Sequence, residues 1–298
     1  MAAPVTGRQV GVLERVDHAW AIYRRHLGAF VAIGLVTDGL VLLLALLFAG
    51  SAAYYEEAIS GGRPLPPFVY AQVPILWFVG PLCAAWGVAS LLSYTRLAYT
   101  GQPAPVRQVL RVGLRDIWRT LLVILAIAVI LIGVSLIGAF LALLPIIRIL
   151  AAPALFPFLF YVLARYSLAL PAHLFERLPL RSSLQRGWDL AGTRVWHVLG
   201  FYIIVYLITF GLTLLMSLAG APLMALVPDK TVTPIWLAVL LYLLVFAPLY
   251  ITTSNWMIVS CGLLFLELRD EQEGYDIWQR LRAIEESRGF PASPSQPS

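Results

Sequence analysis

Six long apolar stretches divide the chain, at about 27–49, 69–92, 121–144, 151–175, 195–218 and 235–266. A helix rises 1.5 Å per residue, so about 20 such residues cross a hydrocarbon core roughly 30 Å thick. Each stretch therefore predicts a membrane-spanning helix. The sixth contains Pro248, whose missing amide predicts a kink there. Ahead of the first, third and fifth stretches the period changes to that of a half-buried surface helix. In the second such segment Val106, Val109, Leu110, Gly113 and Ile117 share one face, while Arg107, Arg111, Arg115 and Arg119 recur every four residues on the other. In the third, Leu180, Leu184, Gly187, Trp188, Ala191 and Val195 oppose Arg181, Gln185, Arg186 and Asp189. A less regular version runs through Leu13, Val16, Trp20 and Tyr23. The pattern predicts an all-α polytopic integral membrane protein of six transmembrane helices with interfacial amphipathic helices. One surface helix followed by two spans would occur three times, a loose threefold repeat.

Composition removes the main competitor. Of the 298 residues 60% are hydrophobic and 12% charged, with mean hydropathy +0.83, against roughly a quarter charged in an ordinary soluble domain. A conventional soluble enzyme is excluded. Residues 1–280 read as a single membrane domain, and 281–298 as a tail whose end, from Pro291 to Pro297, has a disordered composition. Ala49, Gly50, Ser51 and Ala52 resemble a signal-peptide cleavage site. The apolar run before them exceeds the 7–15 residues of a signal core, so a retained span is the expectation.

Charge assigns an orientation. The net charge is +5, carried by 20 arginines and the single Lys230. Alternating the spans puts eighteen basic residues on one side and only Arg63, Arg148 and Lys230 on the other. By the positive-inside rule both termini and the arginine-rich connections should be cytoplasmic, in the cell membrane. Trp20, Trp118, Trp188 and Trp196 fall near the expected interface, as in an aromatic belt.

Candidate chemistry is sparse. Lys230 follows Asp229, so no phosphate-binding Gly-Lys loop exists; none of the four histidines begins His-Glu-x-x-His, and no serine lies in Gly-x-Ser-x-Gly. Cys83 and Cys261 lie inside apolar runs and support neither a disulfide framework nor a zinc site. No metal, cofactor or nucleic-acid partner is expected. The informative residues are the polar ones inside spans. Asp38, Arg165 and Asn255, the chain's only asparagine, each lie about 17 Å from the expected cytoplasmic ends, at 1.5 Å per residue. A lone charge is expensive at that depth, so Asp38 and Arg165 should pair across the bundle, with Asn255 sharing their hydrogen bonds. If the fourth helix ended near Pro171, Arg165 would instead be shallow and reach the headgroups. Arg107, Arg111, Arg115, Arg181 and Arg186 are the candidates for headgroup or partner binding, because guanidinium forks grip phosphate oxygens bidentately. The acidic run Glu267, Asp270, Glu271, Glu273 and Asp276 should fold back onto the arginine helices as a cytoplasmic cap.

Two stretches carry a resemblance. The first is Arg165, Tyr166, Ser167, Leu168, Ala169, Leu170, Pro171 through Phe175 and Glu176, followed by Ser183, Leu184, Gln185, Arg186, Gly187, Trp188, Asp189, Leu190, Ala191, Gly192. The second is Leu268, Arg269, then Glu273, Gly274, Tyr275, Asp276. Together they resemble the multi-span membrane domain found beside glycerophosphodiester phosphodiesterases, which also occurs alone. Gly187 stands where that family usually has Ser, Glu267 where it has Asp, and Glu271 where it has a second Arg. The catalytic barrel is absent, with no His-Arg-Gly or paired Glu-Asn cluster, so the resemblance implies an architecture and no phosphodiesterase activity. The expectation is a non-enzymatic module that binds membrane lipid headgroups or scaffolds a cytoplasmic protein partner. The alternative is a small-solute or lipid transporter using Asp38, Arg165 and Asn255.

Overall fold

The computed structural model describes residues 11–60, 67–102, 104–141, 145–192, 194–225 and 249–274, with side chains except at 44–60, 67–77, 145–154, 156, 216 and 219–225. Among them the chain is helical: α1 Val12–Arg25, α2 Leu27–Ser60, α3 Pro67–Tyr99, α4 Val106–Arg115, α5 Ile117–Leu141, α6 Pro145–Ser167, α7 Ala169–Glu176, α8 Leu180–Gly192, α9 Val195–Ala225 and α10 Leu249–Gly274. Proline sets several starts. Pro67 and Pro145 open α3 and α6, where the missing N–H has no helical partner to lose, and Pro105 immediately precedes α4.

Five helical segments are long and apolar enough to cross a membrane, and a sixth arises if α1 and α2, bent by 77° at His26, are taken together. Their outward surfaces suit lipid better than water. On α5, Leu122, Leu125, Val129, Ile132 and Leu136 are exposed, and on α9 Leu207, Phe210, Leu214 and Leu218 are. So large an apolar surface marks contact with something other than solvent. Within these helices hydroxyls return to their own backbone, as Thr95 Oγ1 to Leu91 O at 2.8 Å and Ser135 Oγ to Leu131 O at 2.8 Å. That satisfies polar groups where water is absent. The chain is an all-α polytopic membrane protein.

The order of short and long helices follows the threefold pattern: α1 before α2 and α3, α4 before α5 and α6–α7, α8 before α9 and α10. Each short helix packs on the last helix of another unit. α4 lies on α3 and α8 on α7 and α6. α1 lies on α9 and reaches α10, where Tyr23 donates to Thr252 O at 2.6 Å and Trp20 meets Trp256 edge to face. The third unit is thus closed onto the first. Glycine permits two of these approaches: a Cβ on Gly113 would lie 3.0 Å from the Ser90 amide of α3, and one on Gly187 would lie 2.8 Å from the Ala169 Cα of α7. Behind the short helices lies the buried core, in which Tyr23, Phe30, Leu91, Leu168, Leu190, Phe201 and Phe265 are almost fully enclosed.

Several boundaries move from their expected places. The fourth stretch holds one candidate span, Pro157–Glu176, with a local turn at Leu168. Ser167 ends α6, and after Leu168 the chain resumes as α7, which Arg177 closes in the left-handed conformation (φ 53°). The third span begins at Ile117, the first continues to Ser60 and the sixth to Gly274. The acidic run does not fold back: through Glu273 it is the last turns of α10. A carboxylate-rich helix end is tolerable here because basic residues of three other helices surround it. Residues 235–248, with the expected kink at Pro248, and the tail from 275 lie outside the described residues.

Candidate functional site

The acidic end of α10 gathers the other elements. Arg15 of α1, 1% exposed, bonds Glu271 at 2.6 Å and lies 3.7 Å from Glu267. Glu271 also takes the Arg194 guanidinium, at the start of α9, at 2.6 Å. His18 of α1 meets Glu267 at 2.6 Å. That bond, outweighing partial burial, raises the imidazole's pKa above its ordinary value. Tyr99, at the end of α3, donates to Asp270 at 3.0 Å. Arg186 of α8 bridges Glu176 of α7 at 3.2 Å and Glu273 at 3.0 Å. These contacts tie α1, α3, α7, α8 and α9 to one helix end. Sequence reading singled out Arg186 here but missed Arg15 and Arg194. For Arg15 a signal existed: Arg15, Ala19 and Tyr23 recur every four residues, and all three are buried.

α4 presents the opposite case. Its buried residues are Val109 and Gly113, and Trp86 Nε1 of α3 donates to Leu110 O at 2.9 Å. Arg107, Arg111 and Arg115 are all exposed. Among the described residues none of the three has an ion pair. Arg181 on α8 is likewise exposed. The five arginines expected to act together are thus unlike, since Arg186 is already held by two carboxylates.

The intramembrane trio does not assemble as expected. Asn255 of α10 is fully buried and donates through Nδ2 to Phe30 O of α2 at 3.0 Å, against Gly34. Asp38, one helical turn beyond Gly34, is half-buried beside Thr37, Ser254 and Gly87. Arg165 goes elsewhere. Its guanidinium donates to Trp188 O of α8 at 3.1 Å and Tyr161 Oη at 2.8 Å, and stacks 4.5 Å from the Trp188 ring centroid and 5.2 Å from that of Tyr161. It forms no ion pair with Asp38. The physical reason is the packing of α8 on α6, which sets the Trp188 carbonyl and ring beside Arg165, while Asp38 lies among α2, α3 and α10. Backbone and ring faces then supply what a carboxylate would have supplied.

The fold and these contacts define a multi-pass helical membrane protein in which a polar hub at the end of α10 joins α1, α3, α7, α8 and α9. No family model, curated protein or solved structure matches the chain.

Proposed function

We propose that the chain is a non-enzymatic module of the cytoplasmic membrane, with both termini in the cytoplasm, that holds anionic lipid headgroups against α4. The carrying observation is the division of labour among its arginines. Arg15, Arg186 and Arg194 are committed to carboxylates, whereas Arg107, Arg111 and Arg115 stand exposed along one face of a helix whose other face is docked on α3. Three guanidiniums one turn apart form a row about 12 Å long, at 1.5 Å per residue. The exposed Trp118, just after α4, suits the headgroup depth at which such a row would lie. Each arginine near an anionic surface contributes about 1 kcal/mol, so the row favours an anionic leaflet by about 3 kcal/mol.

The motif residues support the family resemblance in the same structural sense. Arg165 holds Trp188, and Glu176, Arg186 and Glu273 join the two stretches that carry the likeness. We propose membership of that family on the strength of this membrane architecture.

The test is lipid retention by the purified protein, read by mass spectrometry, for the wild type and for a variant with Arg107, Arg111 and Arg115 changed to Gln. The variant should keep zwitterionic lipid and lose most of the anionic lipid. Unchanged anionic retention would overturn the proposal, and loss of a co-purifying protein instead would point to the scaffold role.

A further inference from the structure

The described residues place one carboxylate inside a span with no cation beside it. Asp38 lies on α2, and no ion pair reaches it. Its polar neighbours are two hydroxyls, Thr37 on its own helix and Ser254 on α10. On the α3 side Gly87 leaves the space: a Cβ there would stand 2.8 Å from Thr37 Oγ1 and 3.6 Å from Asp38 Oδ1. Cys83, a turn before Gly87, lies within electrostatic reach of the carboxylate. No charged side chain among the described residues of these three helices is paired with it.

Counting protons makes the arrangement specific. A hydroxyl has one proton to give. Thr37 Oγ1 stands 3.1 Å from Ile33 O and 3.4 Å from Asp38 Oδ1, so its one proton is divided between a carbonyl and the carboxylate. Ser254 Oγ stands 3.1 Å from Ile251 O and also reaches the Asp38 carboxylate, so its proton is divided in the same way. Two shared hydroxyl protons are all that these neighbours offer the carboxylate, and neither brings a charge. An ionised carboxylate so weakly solvated inside a span is costly unless a positive charge lies beside it. A further buried acceptor lies on the same seam: Asn255 Oδ1, next to Ser254 in the chain, has no hydrogen-bond partner.

We propose that Asp38, Thr37 and Ser254 form an intramembrane site for one positive charge, a proton or a small alkali ion, between α2, α3 and α10. A proton on Asp38 would donate to Ser254 or Thr37 Oγ. An alkali ion would take the carboxylate and both hydroxyl oxygens as ligands. Either completes the hydrogen bonding without Arg165, which is engaged on α8. The site is independent of the α4 arginines, so the two proposals stand or fall separately.

The experiment is infrared difference spectroscopy on the full chain in lipid nanodiscs, wild type against Asp38→Asn. Samples are exchanged between sodium and a bulky organic cation at acidic and mildly alkaline pH. A protonated-carboxyl stretch absent from Asp38→Asn identifies the proton. Carboxylate bands of Asp38 that shift when sodium is withdrawn identify the alkali ion. Carboxylate bands assigned to Asp38 that respond to neither pH nor sodium would overturn the proposal. Thr37→Val keeps shape and gives up only a hydroxyl, so it carries the test even if Asp38→Asn does not fold. Its Asp38 band should move from the wild-type position, and an unmoved band counts against the site.

Discussion

Arg15 and Glu271 lie 2.6 Å apart and 256 positions apart in sequence, joining the first described helix to the end of the last. The guanidinium is 1% exposed and the carboxylate 29%. Breaking such a pair from the buried side leaves a carboxylate short of a partner, though Arg194 still holds Glu271. Arg15→Ala should therefore destabilise the protein by about 2–3 kcal/mol, below the 3–5 kcal/mol of a fully buried pair. Changing both Arg15 and Glu271 to apolar residues of similar size should recover part of the loss, read by thermal unfolding in detergent. Equal loss in single and double variants would show that the ion pair is not what holds α1.

His18 gives the same contact a pH dependence. Its pKa is raised in the folded state, chiefly by the Glu267 hydrogen bond. A raised folded pKa stabilises the fold fully below the unfolded value, about 6.5, and that contribution fades as pH rises through the folded value. The melting temperature should fall over that window in the wild type, and His18→Gln should flatten the fall. The effect is small, because His18 is 53% exposed. His26 shifts the other way, its pKa lowered by burial and by Arg25, so the wild-type-minus-variant difference is the quantity to compare.

The spans were legible because hydropathy needs only composition along a window, and the expected starts at 27, 121 and 195 fall within a few residues of the starts of α2, α5 and α9. Which polar side chains meet was not. Depth along the spans puts Arg165 level with Asp38, but depth does not say which neighbour α6 faces, and that neighbour is α8. Nor does a hydropathy profile show which face of a uniformly apolar helix turns inward. Gly34 could be known to receive Asn255 only once α2 and α10 were side by side. The acidic cap was readable as charge, but its Arg15 partner required α1 to close back on α10.

Close packing at Gly187 predicts a sharp size limit. A methyl group there would meet the backbone of Leu168 and Ala169, which cannot rotate away. Gly187→Ala should push α8 off α7 and cost about 1–3 kcal/mol, loosening the Arg186–Glu176 contact with it. Gly28→Ala meets nothing within 4 Å and should be neutral or slightly stabilising, since alanine is the better helix former. Unfolding midpoints of the two variants measured side by side decide the matter. Equal midpoints would mean that α8 is not docked as described.

Arg165 supplies the last prediction, because its shape matters as much as its charge. The guanidinium reaches Trp188 O and Tyr161 Oη while lying over both rings, and Gly192 leaves room for it, since a Cβ there would stand 2.6 Å from Nη1. A lysine keeps the charge but has no planar face to stack and no fork to divide between two acceptors. Arg165→Lys should therefore lose about 1–3 kcal/mol, combining a cation–π contact with a charged hydrogen bond. Trp188→Leu should lose the ring contact yet keep the bond to the residue's carbonyl, giving the smaller effect. Because the two changes act on one contact, the double variant should lose less than the sum of the two single losses. Simple additivity in a double-mutant cycle would show that the stacking seen between Arg165 and Trp188 carries no energy.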